Sequence, residues 1–171
     1  MTILIIRHTE KPAQGPHLSE AGIRRAEALI ALFRTCFRKP DKLIAAADSA
    51  KSSRPRETLE PMSRAFNLPI DASTLDVNKV AKRLRDEPSD SLVLISWRHQ
   101  TLPDLARALD ASDVPASWPT NVYDRIWRLM PMADGVLRLA DLPMALMPGD
   151  SLGDSPLTLR SIASRVLKGG R

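Results

Sequence analysis

Two short apolar runs in this chain each end in an arginine followed by a histidine. The two segments are Ile3–His8 and Leu92–His99. A neutral imidazole can act as a nucleophile or carry a proton, and a guanidinium binds anionic oxygens through its planar array of N–H groups. Taken alone, either pair could be an ordinary exposed loop, because most charged side chains lie at the surface. Because the pair occurs twice, these residues are the first candidates for a catalytic or anion-binding site.

The elements that must position these pairs are predicted to be parallel strands. Short apolar runs that alternate with helical patterns indicate a parallel sheet, and the carboxyl ends of its strands share the edge where ligands bind. We therefore expect His8 and His99 to lie close together, with Arg7 beside them. A helix predicted to begin near Ser53 brings Arg54 to the same edge, and both arginine and helix N-termini favour anions. The sequence predicts a compact cationic pocket for phosphate.

The hydrophobic pattern as a whole predicts an α/β fold with three layers, α/β/α, and a mostly parallel central sheet. An Asp-Gly turn between two apolar runs predicts an antiparallel hairpin at the edge of that sheet. The predicted strands are Ile3–Ile6, Lys42–Ala47, Ser91–Trp97, Asp124–Met130 and Val136–Leu139. The predicted helices are Ser19–Phe37, one from near Ser53 through Phe66, Val77–Glu87, Leu102–Leu109 and a short one at Leu157–Ile162. Leu68–Ile70 is interpreted as a connecting segment.

Length and composition limit the class of protein. The 171 residues suit a single domain, 1–171, whose last ~10 residues are expected to fray. The one cysteine, Cys36, excludes an internal disulfide. No apolar run is long enough to cross a membrane, and the N-terminus lacks a signal-peptide pattern. These features predict a soluble cytoplasmic protein without membrane partners.

The charge pattern favours a small anionic ligand over a nucleic acid. The net charge is +5, but the basic residues are scattered and aromatic residues are only 4% of the chain, which leaves little material for stacking on bases. There is no cysteine–histidine cluster with the spacing of metal ligands. We therefore predict neither a nucleic-acid partner nor a bound metal or cofactor.

Two longer motifs make a family resemblance specific. Residues 18–26 read Leu-Ser-Glu-Ala-Gly-Ile-Arg-Arg-Ala, and residues 54–58 read Arg-Pro-Arg-Glu-Thr. With Arg7-His8 before them and His99 after a later strand, they follow the order found in the histidine phosphatase superfamily, also called the phosphoglycerate mutase-like fold. The chain resembles small single-domain bacterial members of that superfamily over nearly its whole length.

The resemblance implies a role for each matching residue. His8 would be the nucleophile that accepts a phosphoryl group, and Arg7, Arg54 and His99 would be catalytic residues that bind the phosphoryl oxygens. Water would then release phosphate. The implied activity is metal-independent hydrolysis of a phosphomonoester or of protein phosphohistidine, with a phosphorylated small molecule or phosphoprotein as substrate. Lys11 stands near an extra arginine of the phytase-like branch and is a further candidate for substrate contact.

Four residues depart from the family pattern: Thr9, Pro55, Glu57 and Gln100. Thr9 replaces the usual glycine after the nucleophile and adds a side chain there. Gln100 stands where the acid phosphatases have aspartate, which removes the obvious acid for the leaving group.

The remaining candidates for the acid that protonates the leaving group are weak. Two hypotheses about the function therefore stay open. The candidates are Glu10, Asp71 and Asp76. Small family members without a dedicated acid suit substrates with good leaving groups, such as phosphohistidine. The alternative hypothesis is a catalytically weak phosphate-binding or regulatory module of the same fold. The sequence indicates neither the substrate nor the oligomeric state.

Overall fold

The computed structural model describes residues 1–133 and 135–151, and these form one mixed sheet with helices on both faces. The strands are β1 (Thr2–Arg7), β2 (Lys42–Ala46), β3 (Ile70–Thr74), β4 (Leu92–Trp97), β5 (Ala111–Ser112), β6 (Arg125–Pro131) and β7 (Leu137–Pro143). The helices are α1 (Glu20–Cys36), α2 (Arg54–Phe66), α3 (Val77–Leu84) and α4 (Leu102–Ala108). The predicted three-layer α/β/α architecture is confirmed.

The strands lie in the order β3-β2-β4-β1-β6-β7-β5. The first four in this order pair in parallel, whereas β6 runs antiparallel to both β1 and β7. The predicted hairpin therefore forms as β6 and β7, with the two-residue β5 added outside it. Two strands were missed. The short β5 was not predicted, and Leu68–Ile70 was interpreted as a connection, whereas β3 begins at Ile70 and forms the opposite edge of the sheet.

Some predictions fall outside the described residues. These are the helix at Leu157–Ile162, the frayed C-terminus and Asp134 of the predicted turn.

Alternate residues of the central strands enter two separate cores. On β1, Ile3 and Ile5 pack with α3 and α4, whereas Leu4 and Ile6 pack with α1 and α2, and all four are fully buried. A strand covered on both faces favours apolar residues at successive positions, which explains the apolar runs in the sequence. The edge strand β3 is only partly buried and lacks such a run.

The parallel register brings three chain segments to one edge. Arg7 at the end of β1 pairs with Trp97 at the end of β4, and the His8 N–H donates to the Trp97 carbonyl at 3.1 Å. On its other side β4 pairs in parallel with β2. The segments after β1, β2 and β4 therefore emerge together, as the sequence predicted.

Helix α1 begins against the segment that follows β1. The Ser19 hydroxyl caps the helix by accepting from the Gly22 N–H at 3.1 Å. A Cβ at Gly22 would lie 2.3 Å from the Glu10 carbonyl oxygen, so only glycine allows the two backbones to approach this closely. This contact fixes the chain just beyond His8.

Candidate active site

A cavity of about 630 Å³ lies at this edge of the sheet. Its lining contains five cationic side chains and two histidines, and among the described residues that line it there is no aspartate or glutamate. We call it the cationic cavity. Its charged and imidazole side chains are Arg7, His8, Lys11, Lys51, Arg54, Arg98 and His99. All the site residues predicted from the sequence are therefore brought together, whereas their catalytic roles stay predictions.

His8 is held as a neutral base. Its side chain is 4% exposed, and Nδ1 lies 2.7 Å from the Thr9 carbonyl oxygen. Because a carbonyl can only accept, Nδ1 carries the proton and Nε2 keeps its lone pair. Burial, together with the charges of Arg7 and Arg54, lowers the pKa of His8 to about 4. The imidazole is therefore neutral at neutral pH and can act as a nucleophile through Nε2.

Arg7 is held by the 119–123 segment, which follows α4. Its Nη1 donates to the carbonyl oxygens of Thr120, of Val122 at 3.3 Å and of Pro119 at 3.4 Å. Its Nη2 donates to the Tyr123 hydroxyl at 3.1 Å, and the guanidinium carbon lies 3.9 Å from the centre of the Tyr123 ring. The buried Nε has no partner. Arg7 is thus fixed in place with one donor still available.

Arg54 is the first residue of α2 and is partly buried. Its Nη1 donates to the Gly15 carbonyl at 2.8 Å, and its Nη2 donates to the Lys51 carbonyl at 3.4 Å. As in Arg7, the Nε atom is buried and has no partner. Backbone carbonyls therefore orient both predicted phosphate-binding arginines.

Glu57 explains one departure from the family pattern. Its carboxylate accepts from His17 Nδ1 at 2.5 Å, from the Ser53 hydroxyl at 2.6 Å and from the Leu18 N–H at 2.9 Å. Burial raises the pKa of Glu57, but these three donors outweigh it and the pKa is lowered. The ionised carboxylate therefore joins the start of α2 to residues 17 and 18. These follow Gly15, whose carbonyl accepts from Arg54.

His99 faces the same cavity from the segment after β4. It is partly buried, and its Nδ1 has no hydrogen-bond partner in the described part of the chain. Burial and the charges of Arg7 and Lys11 lower the pKa of His99, which keeps this ring neutral as well. Lys11 and Gln100 line the cavity and are exposed.

Buried polar atoms without partners concentrate at the cationic cavity. Of eight such side-chain atoms among the described residues, five belong to residues that line it. They are the Nε atoms of Arg7, Arg54 and Arg98, the Ser52 hydroxyl and His99 Nδ1. Each buried group left without a hydrogen bond costs about 1–3 kcal/mol. An anion with several oxygens would satisfy most of them at once.

The Thr9 side chain points away from the cavity. Thr9 is fully buried, its N–H donates to Thr58 Oγ1 at 3.0 Å, and the two hydroxyl oxygens lie 3.4 Å apart. The Thr58 hydroxyl in turn donates to the Arg54 carbonyl at 2.8 Å. The threonine therefore joins the segment after β1 to α2 and adds no bulk in front of His8.

The three candidate acids lie away from the cationic cavity. Glu10 binds the Arg25 guanidinium at 2.8 Å and lines a second cavity of about 730 Å³. Asp71 binds Arg83 at 2.9 Å, and Asp76 caps α3. The structure therefore supports none of them as the acid that protonates the leaving group.

One residue that lines the cavity and one that orients Arg7 from outside it were missed from the sequence. Ser52 belongs to a polar loop in which nothing distinguishes one serine from another. Tyr123 is 116 residues from Arg7, and no local pattern joins them. The only signal was that residues 123–127 resemble a segment of small bacterial family members.

The structure is similar to solved structures of phosphatases and of a phosphoglycerate mutase. For the protein histidine phosphatase SixA complexed with tungstate, the TM-score is 0.59, with 15% identity over 84% of this chain and 97% of that one. For a phosphoglycerate mutase from Plasmodium falciparum it is 0.56, with 19% identity over 90% and 98%. For a mycobacterial glucosyl-3-phosphoglycerate phosphatase with inorganic phosphate it is 0.51, with 16% identity over 82% and 94%.

These similarities show that the chain has the phosphoglycerate mutase-like fold, which confirms the fold that its motifs predicted. No family model and no curated protein sequence matches the chain. No helix within the described residues has both the length and the apolar content needed to cross a bilayer. This part of the chain also contains no group of three histidine, cysteine, aspartate or glutamate side chains that could hold a metal ion.

Proposed function

We propose that this protein is a cytoplasmic, metal-independent phosphohydrolase that passes the phosphoryl group of its substrate through His8 to water. The observation that carries the proposal is the cationic cavity, where unpaired buried donors surround a neutral histidine. The oxygens of a phosphoryl group complete those hydrogen bonds. The fold shared with phosphatases and a phosphoglycerate mutase supports the same activity.

In the first step, Nε2 of His8 attacks phosphorus. A nitrogen–phosphorus bond forms while the bond to the leaving group breaks, and the leaving group departs with the electron pair. Arg7, Arg54 and His99 bind the equatorial oxygens, over which negative charge is spread in the transition state. The cationic side chains supply the positive charge, so the proposed mechanism requires no metal.

In the second step, water attacks the phosphorus of phosphorylated His8. The nitrogen–phosphorus bond breaks and its electron pair returns to Nε2, while inorganic phosphate leaves with the protons of the water. His8 returns to its neutral form with the proton still on Nδ1. This route replaces one difficult displacement by two easier ones.

The lining of the cavity favours substrates with good leaving groups. No carboxyl group among the described lining residues can protonate a departing alkoxide. Aryl phosphates and phosphoramidates, including the phosphohistidine of a phosphoprotein, need less help because a phenolate or an imidazole departs more readily. The similarity to a protein histidine phosphatase supports phosphohistidine as one such substrate.

The proposal is tested by assaying phenyl phosphate hydrolysis with His8→Asn and with Arg64→Gln as a control. Arg64 is exposed and lies outside the cavity, so its variant keeps most of the activity. The His8 variant loses it. Rapid quenching in alkali, in which phosphohistidine survives, followed by mass spectrometry detects the phosphorylated His8 peptide in the wild type only. Undiminished turnover by His8→Asn overturns the mechanism.

The missing carboxyl group also favours a second candidate, a regulatory module that binds phosphate without turnover. It predicts that vanadate and inorganic phosphate bind while no phosphoester or phosphoramidate is hydrolysed. Turnover that depends on His8 excludes this candidate.

A further inference from the structure

The cationic cavity holds more positive charge than one phosphoryl group requires. The proposed phosphoryl site uses two arginines and two histidines and leaves Lys11, Lys51 and Arg98 unassigned. None of these three side chains takes part in an ion pair within the described residues. With no carboxylate in the described lining, this charge has no counterpart among the residues that the structure describes. A ligand with further negative charge would supply one.

Arg98 is anchored so that part of its guanidinium stays free. Its Nη2 donates to the Ala47 carbonyl at 3.2 Å and to the Ser49 hydroxyl at 3.1 Å. Its Nε is buried and has no partner. The guanidinium is therefore oriented in advance, which lowers the entropy lost when an anion binds.

The 49–52 loop supplies the other half of this site. Backbone hydrogen bonds between Ser49 and Ser52, at 3.0 and 3.1 Å, close the loop. Ser52 is 6% exposed, lines the cavity, and has a hydroxyl without a partner. Lys51, beside it, is exposed. A buried hydroxyl, an anchored guanidinium and a nearby ammonium are a suitable set of donors for one anionic group.

We propose that Arg98, Ser52 and Lys51 form a second anion subsite beside the phosphoryl site, which binds a carboxylate or a second phosphate group of the substrate. The subsite rests on the proposed function, because it selects among phosphoryl substrates. The volume of about 630 Å³ lies within the roughly 300–1,000 Å³ of pockets that hold small organic ligands, so both groups fit in one cavity.

The first experiment compares phenyl phosphate with 3-carboxyphenyl phosphate, whose leaving groups are almost equally basic. The wild type prefers the carboxylated substrate by about tenfold in kcat/KM, the effect of one hydrogen-bonded charge pair. Arg98→Gln and Lys51→Gln lower this preference. Arg64→Gln, a matched change at an exposed arginine of α2 outside the cavity, retains it. No preference in the wild type, or the same preference in Arg98→Gln, overturns the subsite.

A second variant covers the possibility that Arg98→Gln does not fold, since Arg98 also anchors the loop after β2. Ser52→Ala removes only the unpaired hydroxyl, and we expect it to lower the preference by at least about threefold, the lower end of what one hydrogen bond contributes. If neither variant changes the ratio while both show native circular dichroism, the subsite is overturned.

A binding measurement separates this proposal from the proposed function. Titration calorimetry compares pyrophosphate with inorganic phosphate on the full chain. Pyrophosphate that binds about tenfold more tightly in the wild type, but not in Arg98→Gln, supports the subsite even if no phosphoester is hydrolysed. Hydrolysis of phenyl phosphate with equal affinity for the two anions overturns the subsite and leaves the phosphohydrolase intact.

Discussion

The Tyr123 ring lies against the guanidinium of Arg7, 3.9 Å from ring centre to Cζ, and its hydroxyl accepts from Nη2 at 3.1 Å. The same residue also lines the second cavity, of about 730 Å³. Tyr123 therefore orients a predicted phosphate-binding arginine from outside the cationic cavity. It is a positioning residue, because it acts on an anion through Arg7.

We expect Tyr123→Ala to weaken the binding of inorganic phosphate about tenfold, because Arg7 loses a stacked ring and one hydrogen bond. Tyr123→Phe keeps the ring and should lose only about threefold. Calorimetric titration with phosphate measures both values. Wild-type affinity in Tyr123→Ala would mean that the three backbone carbonyls position Arg7 without help.

The second prediction concerns the leaving group. Because no carboxyl group lines the cationic cavity in the described residues, hydrolysis should accelerate as the departing phenol becomes more acidic. Alkyl phosphates should react at least about 100-fold more slowly than 4-nitrophenyl phosphate, the usual contribution of a missing general acid. The measurement is kcat/KM over a series of substituted phenyl phosphates and one alkyl phosphate. Equal rates for alkyl and aryl esters would show that an acid reaches the site.

The third prediction follows from the pKa of His8, which burial lowers from 6.5 to about 4. Between these two values the unfolded chain binds the proton and the folded chain does not, so stability must fall as pH is lowered through this window. At pH 4.5 the loss due to His8 should be about 2–3 kcal/mol relative to pH 7. Above about pH 7.5 His8 is neutral in both the folded and the unfolded chain and contributes no pH dependence.

The test is urea unfolding of the wild type and His8→Asn at both pH values. The variant should lose less stability on acidification. The difference between the two losses gives the contribution of His8, because His99 and the carboxylates are present in both proteins. The same pH dependence in the two proteins would mean that His8 titrates normally in the folded chain.

The fourth prediction concerns Gly22. Alanine is the better helix former by about 1 kcal/mol, but here its Cβ would lie 2.3 Å from the Glu10 carbonyl oxygen. We expect Gly22→Ala to lower the free energy of unfolding by about 1–3 kcal/mol, because backbone must move. Glu27→Ala, at an exposed position of α1, should change it by no more than about 0.5 kcal/mol. Chemical denaturation measures both, and a more stable Gly22→Ala would contradict the close contact.

Much of this fold was predictable because burial on both faces leaves a simple signal. The central strands β1, β2 and β4 are mostly apolar, and the cap at Ser19 follows from local hydrogen-bonding chemistry. Parallel pairing then implied that His8 and His99 would lie close together. Neither histidine alone shows whether it lines a pocket or belongs to an exposed loop.

Other features could not be predicted because they depend on tertiary contacts. The edge strand β3 gains its hydrogen bonds from β2 alone and is half-exposed, so its sequence carries no clear period. The carbonyls that orient Arg7 come from the 119–123 segment, more than 110 residues away. Glu10 was one of three weak candidates for the acid, and Arg25, buried in α1, binds it.

The assembly of the cationic cavity from three parallel strands also determines how the protein should respond to heat. Residues 7, 54 and 99 converge only after β1, β2 and β4 have paired, so the unfolded chain has no equivalent site. An anion that occupies the cavity therefore binds the native protein alone and stabilises it by about 2.7 kcal/mol at one hundred times its Kd. The melting temperature thus reports which anions the cavity holds, even before any reaction is observed.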